Sequence, residues 1–457
     1  MSKFLETNGF IGMIGEVDLK KELIKSLEKM SHRAWKQFSI INNKEILEVE
    51  DYLEEANSKI SIGCCINNDT EQQSRNNIVI HGKIYSHKNN ELTNKIIDLI
   101  NSDKLKELGD ILKEIDSNYN IIYINNNELI VIRDPLGTKP LYIGKSNKIT
   151  AVATEKKALE VIGIKIIQEI YPGNIYRIKH NSIKYNKFRE INRNIISKTD
   201  NYAKKIIDIL NESIEKRVNG MKKIGVGFSG GLDSSLLAYL ASKYVEVKLI
   251  SVHKNNSRDE RITDKAASKL DLEIEHITID EEYIRKTLPT IEYLIEDNQL
   301  MNLSIATIMF LSAKRVKKLK LEGLFVGQLA DELFGGYSKY LISLEKGKEH
   351  VNKMLYDDIR YAYRNNFPRD EKSVSPFSYL IMPYSSINLV DYSIGIPLEF
   401  KITQKELIRK KILREAAITS GMDKDISNEP KKAAQYSSGT QNIIRKIIKS
   451  NETNKYN

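Results

Sequence analysis

The spacing of apolar residues changes character about two-fifths of the way along the chain. Up to residue 195, short β-branched runs recur, among them "NNIVIHGKIYS", "YNIIYINNNELIVIRD" and "NKITAVAT", separated by Asn and Gly clusters. That pattern predicts strands linked by hairpins, because Asn and Gly supply turn conformations between residues that pack on a pleated surface. From Tyr202 the period lengthens, and Ile207, Leu210, Ile214 and Val218 fall on one face of a predicted helix. "KIGVGF" then reads as a short buried strand and "SSLLAYLASKY" as a helix. "EVKLISV" reads as a strand, "DERITDKAASKL" as a helix and "EIEHITI" as a third strand. Alternation at this spacing predicts a parallel sheet with helices on both faces. Two α/β domains are expected, over 1–195 and 204–449, with a polar linker at 196–203 and a disordered tail at 450–457.

Composition narrows the class without naming the chemistry. A chain of 457 residues is too long for one ordinary core, and 41% apolar residues with mixed charges describe a soluble globular protein. No run of eighteen apolar residues occurs, and "MSKFLETNGF" lacks a signal peptide's apolar stretch, so a cytoplasmic protein without a membrane partner is expected. The two cysteines, Cys64 and Cys65, are adjacent, which argues against a disulfide framework or a metal knuckle and for small core residues. Seven histidines argue against a zinc site. The net charge of +10 is spread along the chain rather than gathered in one arm, so nucleic acid is not the expected partner.

"GVGFSGGLDSS", residues 225–235, carries the candidate chemistry. It follows the first predicted strand of the parallel sheet, where such folds bind ligands. Gly230 and Gly231 let the backbone turn tightly and bring N–H groups against an anion. Ser229, Ser234 and Ser235 add hydroxyl donors, and the following helix N-terminus adds partial positive charge. The loop lacks the Gly-Lys-Ser/Thr ending of a Walker loop. Asp233 would repel phosphates unless a cation bridged them, so it implies Mg²⁺. The plainer reading, a Gly-rich turn with Asp as a helix cap, accounts for fewer of the seven residues.

"SGGLDSS" resembles the pyrophosphate-binding loop of enzymes that split ATP into AMP and pyrophosphate. "GQLADELFGGYSKY" (327–340) resembles the asparagine synthetase signature. "RDPLGTKPLYIG" (133–144), "RDERITDKAASKLDLEIEH" and "PKKAAQYSSG" (430–439) resemble other stretches of that family, in the family's order. The resemblance implies an N-terminal-nucleophile hydrolase-like αββα sandwich, built as a glutamine amidotransferase domain. After it comes a Rossmann-like, parallel-sheet synthetase domain of the adenine-nucleotide α-hydrolase type. It also implies that the second domain adenylates a carboxylate, which ammonia then converts to an amide. Asp233 and Asp331 would hold Mg²⁺ on the pyrophosphate, with Phe228, Val252, Val326 and Gly327 lining the adenosine side. Lys431 or Lys432 would neutralise charge developing on the phosphates. The implied partners are a small-molecule carboxylate and ammonia, with a homodimer left open.

The chain also departs from the family. Asn8, in "NGFIGMIG", stands where the family opens with its nucleophilic Cys, and seven residues precede it. Ser2 or Thr7, exposed by processing, would fit the motif poorly. The family's glutamine-binding Asn-Gly-Glu appears as His81, Gly82 and Lys83. The Arg expected near "SIGCCIN" is absent, so no glutaminase activity is expected. In the second half Gln328 replaces a Glu, a candidate general base, and Leu329 replaces a Gly. In "YLIMPYSSINLVDYSIGIP", Tyr379, Ile381 and Ser386 stand for Glu, Arg and Asp. Nucleotide-side residues persist while acceptor-side residues have changed, so weak or no asparagine formation from aspartate is expected. Four readings follow in order: an asparagine-synthetase-like ligase using ammonia or another amine, a β-lactam-synthetase-like ligase on another substrate, a non-catalytic nucleotide-binding homologue and a tRNA-modifying enzyme.

Overall fold

The structure is a computed structural model, and it describes residues 5–33, 37–42, 45–48, 59–66, 78–85, 89–191, 201–255, 257–403, 407–428 and 438–453. The chain divides into two units, Met1–Ile191 with Tyr363–Pro368, and Asn192–Ala362 with Arg369–Asn457. The short return of 363–368 to the first unit is a feature the linear boundaries did not contain. Among the described residues, no helix is long and apolar enough to cross a membrane.

The first unit is a four-layer sandwich. Its strands are β1 (Leu5–Thr7), β2 (Gly9–Gly15), β3 (Gln37–Asn42), β4 (Glu45–Glu48), β5 (Ile60–Ile66), β6 (Ile78–Ile84) and β7 (Ser117–Asn125). They continue with β8 (Glu128–Arg133), β9 (Tyr142–Lys145), β10 (Ile149–Ala153), β11 (Ile167–Glu169), β12 (Asn174–Lys179) and β13 (Ser182–Lys187). One sheet runs β1-β6-β7-β8-β12-β13 and the other β11-β9-β10-β2-β5-β3-β4. Phe10, Ile62 and Cys64 of the second sheet pack with Val79, Ile122 and Val131 of the first between the two layers. Helices α1 (Lys20–Lys29), α2 (Asn89–Asn101), α3 (Leu105–Leu112) and α4 (Lys156–Glu160) supply the outer layers. Ile96, Leu108 and Leu112 cover the six-stranded sheet, and Leu23, Leu27 and Leu159 cover the other. Each fully buried Ile or Leu contributes about 1.5–3 kcal/mol. The adjacent cysteines fall on opposite faces of β5, Cys64 between the sheets and Cys65 under α1, as the two-residue strand period requires.

The second unit starts with α5 (Tyr202–Val218), where Asn201 caps the helix by accepting the Lys204 N–H at 2.9 Å. Then come β14 (Lys223–Gly227), α6 (Leu232–Ala241), β15 (Glu246–Lys254), α7 (Arg258–Leu270), β16 (Ile274–Ile279), α8 (Glu281–Ile295) and α9 (Leu300–Lys318). After β17 (Leu324–Phe325) and α10 (Ala330–Phe334), β18 (Leu380–Ile381) completes an all-parallel sheet in the order β16-β15-β14-β17-β18. Both faces are covered, which is why Ile224, Val226, Leu249 and Ile250 are all buried. The chain leaves β14 towards β15 and later returns to β14's other side as β17. That reversal opens a crevice at the carboxyl ends of β14 and β17.

The last helix, Thr440–Thr453, runs through Ser450–Thr453, where the sequence suggests disorder. Buried Ile443, Ile444 and Ile447 hold its apolar face, and the Arg285 guanidinium donates to Ser450 Oγ at 3.2 Å. Residues 454–457 lie outside the described set, as does most of the expected linker.

Candidate functional site

Two loops meet at that crevice. After β14, Phe228 donates its N–H to the Ile250 carbonyl at 2.8 Å and turns its ring inward at 4% exposure. Gly230 follows with φ +69°, in the left-handed region, and a Cβ there would stand 3.0 Å from Ile262 Cγ2. Gly231 is the N-cap residue, and Asp233 lies in the first turn of α6 rather than capping it. The Ser229 N–H donates to Ser234 Oγ at 3.3 Å, and Ser234 Oγ donates to the Gly231 carbonyl at 3.2 Å. The Ser235 hydroxyl is buried and has no hydrogen-bond partner among the described residues. A ten-residue helix thus presents its N-terminus behind a loop of hydroxyls and turned backbone, an arrangement suited to anionic oxygen.

The loop after β17 carries Val326, Gly327, Gln328 and Leu329 into α10. A Cβ on Gly327 would lie 3.0 Å from Asp233 Cβ, so the two loops touch. Val326 is buried and donates its N–H to the Ile381 carbonyl at 3.1 Å, while Gln328 is half-buried. Leu329 adopts φ +80° with its side chain 1% exposed. A bulky residue in that region costs roughly 1–3 kcal/mol, so the position suits the Gly it replaces for backbone reasons as much as for space. Val252, near the end of β15, is buried.

The Lys410 ammonium joins the two loops. Its Nζ lies 2.5 Å from both Asp233 carboxylate oxygens and 2.6 Å from Asp331 Oδ1. The Lys410 side chain is 1% exposed, while Asp233 and Asp331 are 15% and 17% exposed. Gly336 makes the approach possible: a Cβ there would stand 1.8 Å from Asp331 Oδ1 and 2.3 Å from Lys410 Cε. Sequence reasoning missed Lys410, because nothing in its local spacing separates it from the other basic residues. Tyr384, fully buried, donates its hydroxyl to the Asp233 carbonyl at 3.3 Å; burial, then Asp233 and Asp331, push its phenol up. Burial and the neighbouring Asp331 raise the Glu332 carboxyl to about 7, although the Tyr337 hydroxyl donates to it at 2.8 Å.

Two carboxylates already facing one cation fit a hard oxygen-seeking ion such as Mg²⁺. Among the described residues no group of three His, Cys, Asp or Glu side chains could hold a metal. Remaining ligands would have to be water or phosphate oxygens, the usual arrangement for this ion. Lys431 and Lys432 lie outside the described residues. The chain reappears at Ser438, and a Cβ on Gly439 would stand 3.0 Å from Lys254 Cδ, against the end of β15.

The first unit has its own corner of interest. The chain crosses from one sheet to the other at Asn8, between Thr7 of β1 and Gly9 of β2. Thr7 is paired with His81, and Gly82 follows with φ +114°, where a Cβ would strike the Asn118 carbonyl at 2.0 Å. The tertiary structure therefore brings Asn8, His81 and Gly82 to one place. Asn8 Nδ2 donates to the Arg33 carbonyl at 3.3 Å, and Arg33 Nη1 donates to the Asn8 carbonyl at 2.7 Å. Arg33 Nε pairs with Glu155, as do Lys157 at 2.5 Å and His32 at 3.2 Å. Arg33 and Glu155 are fully buried. Burial alone would raise the Glu155 carboxyl, but Arg33, Lys157 and His32 together hold it well below the usual range. Burial, first of all, lowers the His32 ring. Cys64 and Cys65 have no exposed surface, and burial pushes the Cys65 thiol well up.

The asparagine synthase family description matches residues 205–346 and 342–455, which is more than half of the chain. This chain belongs to the asparagine synthase family. A glutamine amidotransferase domain description matches residues 63–161 of the first unit. A Methanocaldococcus jannaschii protein named as a glutamine-hydrolysing asparagine synthetase is 30% identical over 404 residues, covering 78% of this chain and 74% of that one. A similarly named mimivirus protein is 23% identical over 79% of this chain and 72% of its own length. A Saccharomyces cerevisiae protein described as containing an asparagine synthetase domain is 24% identical, over 79% and 80%.

Within this asparagine synthase family member, the departures at Tyr379, Ile381 and Ser386 have distinct structural settings. Ile381 is a fully buried strand residue of β18, and its carbonyl accepts from Val326. Tyr379 is half-buried just before that strand. Ser386, 1% exposed, occupies the N-cap position of helix Ile387–Gly395. An apolar side chain at 381 packs where it stands and offers no charge to a substrate.

Proposed function

We propose that this chain is an ATP-dependent amide ligase that activates a carboxylate, releases pyrophosphate and joins the acyl group to ammonia or another amine without hydrolysing glutamine. The observation that carries the reading is the convergence of Asp233 and Asp331, from loops nearly a hundred residues apart, on one cation position beside the Gly-rich loop. Asp233 and Asp331 would hold Mg²⁺, which when bound neutralises phosphate charge. Ser229, Ser234, Ser235 and the N-terminus of α6 would bind the phosphates, with Phe228, Val252, Val326 and Gly327 on the adenosine side. Lys431 or Lys432 would meet charge developing on the leaving pyrophosphate. Gln328 can position an amine but cannot take its proton, so an incoming amine would need another base.

The absence of glutaminase activity is supported by Asn8, whose carboxamide is no nucleophile, and by two cysteines with no exposed surface. A second reading, a ligase acting on a carboxylate other than aspartate, is favoured by buried Ile381 and by Ser386. Neither can supply the charge that grips a charged amino-acid substrate. Pyrophosphate release with ATP, Mg²⁺, ammonium and a panel of carboxylates tests both readings. Release with aspartate at about 1 per second or more would make plain asparagine synthesis the better description. Release with another carboxylate selects the second reading, and glutamate formed from glutamine would refute the absence of glutaminase activity.

A further inference from the structure

We propose that Lys410 is an internal stand-in for the divalent cation, so that the metal position opens only when a nucleotide's phosphates give the ammonium somewhere else to go. The inference rests on the metal assignment in the ligase reading above. It adds a coupling between metal and nucleotide that the assignment alone does not require.

Three observations carry it. The ammonium sits between the two carboxylates that would hold the metal, 2.5 and 2.6 Å from their oxygens. Mg²⁺ binds oxygen at roughly 2.0–2.1 Å and needs the same faces of those oxygens, so ammonium and metal exclude one another. The lysine is also built into place. Its backbone is left-handed, φ +57°, immediately before helix Lys411–Thr419, and its side chain is 1% exposed. Its neighbour is anchored on both sides: Arg409 Nη1 donates to the Gly336 carbonyl at 2.9 Å, and Arg414 Nε donates to the Arg409 carbonyl at 3.1 Å. Finally, the site leaves no slack, since Gly336 has no room for a Cβ between Asp331 and the Lys410 stem.

Two carboxylates and one ammonium leave a net charge of −1, and adding a divalent ion beside the retained ammonium would place three positive charges against two negative ones. Triphosphate removes that conflict by giving the ammonium an anionic partner. Metal affinity should therefore rise when nucleotide binds, and nucleotide affinity should rise with metal by the same factor. Without nucleotide the lysine keeps the loops of β14 and β17 together and keeps the metal out.

Mn²⁺ binding followed by electron paramagnetic resonance, with and without α,β-methylene-ATP, reads this directly and needs no turnover. Wild-type protein without nucleotide should show no Mn²⁺ site beyond what Asp233→Asn shows, and should gain one when the analogue is added. Lys410→Met should bind Mn²⁺ without nucleotide at least about tenfold more tightly than wild type, from removal of one adjacent positive charge. The double variant with Asp233→Asn should lose that site. An Asp233-dependent Mn²⁺ site in nucleotide-free wild type overturns the proposal, as does a Lys410→Met protein no better than wild type. If Lys410→Met fails to fold, the wild-type and Asp233→Asn titrations still decide the matter. A failed ligase assay leaves these outcomes unaffected, so the two readings fail separately.

Discussion

The Asn8 corner of the first unit and the paired loops of the second both gather charged side chains, and they neutralise them differently. At the Asn8 corner Glu155 is fully buried, and Arg33, Lys157 and His32 all face it. Its carboxyl is held far down, and the cluster fills the space beside Asn8. At the paired loops two carboxylates share one lysine, and the next residue, Glu332, is pushed up to about 7 by burial and by Asp331. The first cluster is electrostatically complete on its own. The second has two carboxylates against one ammonium, and burial with the adjacent Asp331 raises the next carboxyl, Glu332.

Substitutions can break that contrast, and the largest effect is expected in the complete cluster. Arg33→Ala leaves Glu155 buried against fewer cations and should cost about 3–5 kcal/mol, read as a fall in thermal midpoint. A loss below 1 kcal/mol would mean that Lys157 and His32 suffice. Asp233→Asn and Asp331→Asn should do the reverse, leaving a folded protein whose ATP-dependent pyrophosphate release falls about 10²–10³-fold. Equal turnover in both variants and wild type would remove the metal assignment.

A smaller expected effect lies in the strained loop. Leu329→Gly relieves roughly 1–3 kcal/mol of left-handed strain but empties a buried apolar position that normally costs about 2–5 kcal/mol. The net loss should therefore be only about 1–2 kcal/mol by chemical denaturation, less than for other buried leucines such as Leu333. A full-sized loss would show that the backbone strain is not released.

The pH dependence sharpens the comparison last. Glu155 is depressed when folded, so its contribution is present above the ordinary carboxyl value of 4.5 and is lost as pH falls through its folded value. Glu332 is raised, so its contribution is full below 4.5 and is lost as pH climbs through about 7. Glu332→Gln should flatten the thermal midpoint between pH 4.5 and 7 and leave the acid limb unchanged. An unaltered slope across that window would place the titrating group elsewhere.

The local pattern was legible where one segment alone sets its own structure. The strand before the Gly-rich loop ends within a residue of where its apolar run stops, and Ile207, Leu210, Ile214 and Val218 all turn inward. The adjacent cysteines read correctly as core because a strand alternates faces. At residue 450 the reading stopped too early, since Ser450–Thr453 follow a helix held by isoleucines further back. Leu329 stood out in sequence as added bulk, but its left-handed backbone became visible only in three dimensions.

Sequence by itself determined the pieces: the turn at Gly230, the hydroxyls behind it and the two carboxylates, each at the start of its own helix. Tertiary structure decided that the pieces meet. Strand order in a parallel sheet is set by how helices pack across its faces, not by any local period, and it put β17 beside β14. That adjacency brings Asp331 to Asp233 across nearly a hundred residues. Lys410 arrives from 177 residues beyond Asp233, on a backbone turn that only the packed fold makes worth holding. A charge pair between distant segments depends on where a whole domain's hydrophobic faces come to rest, and no stretch of sequence carries that information alone.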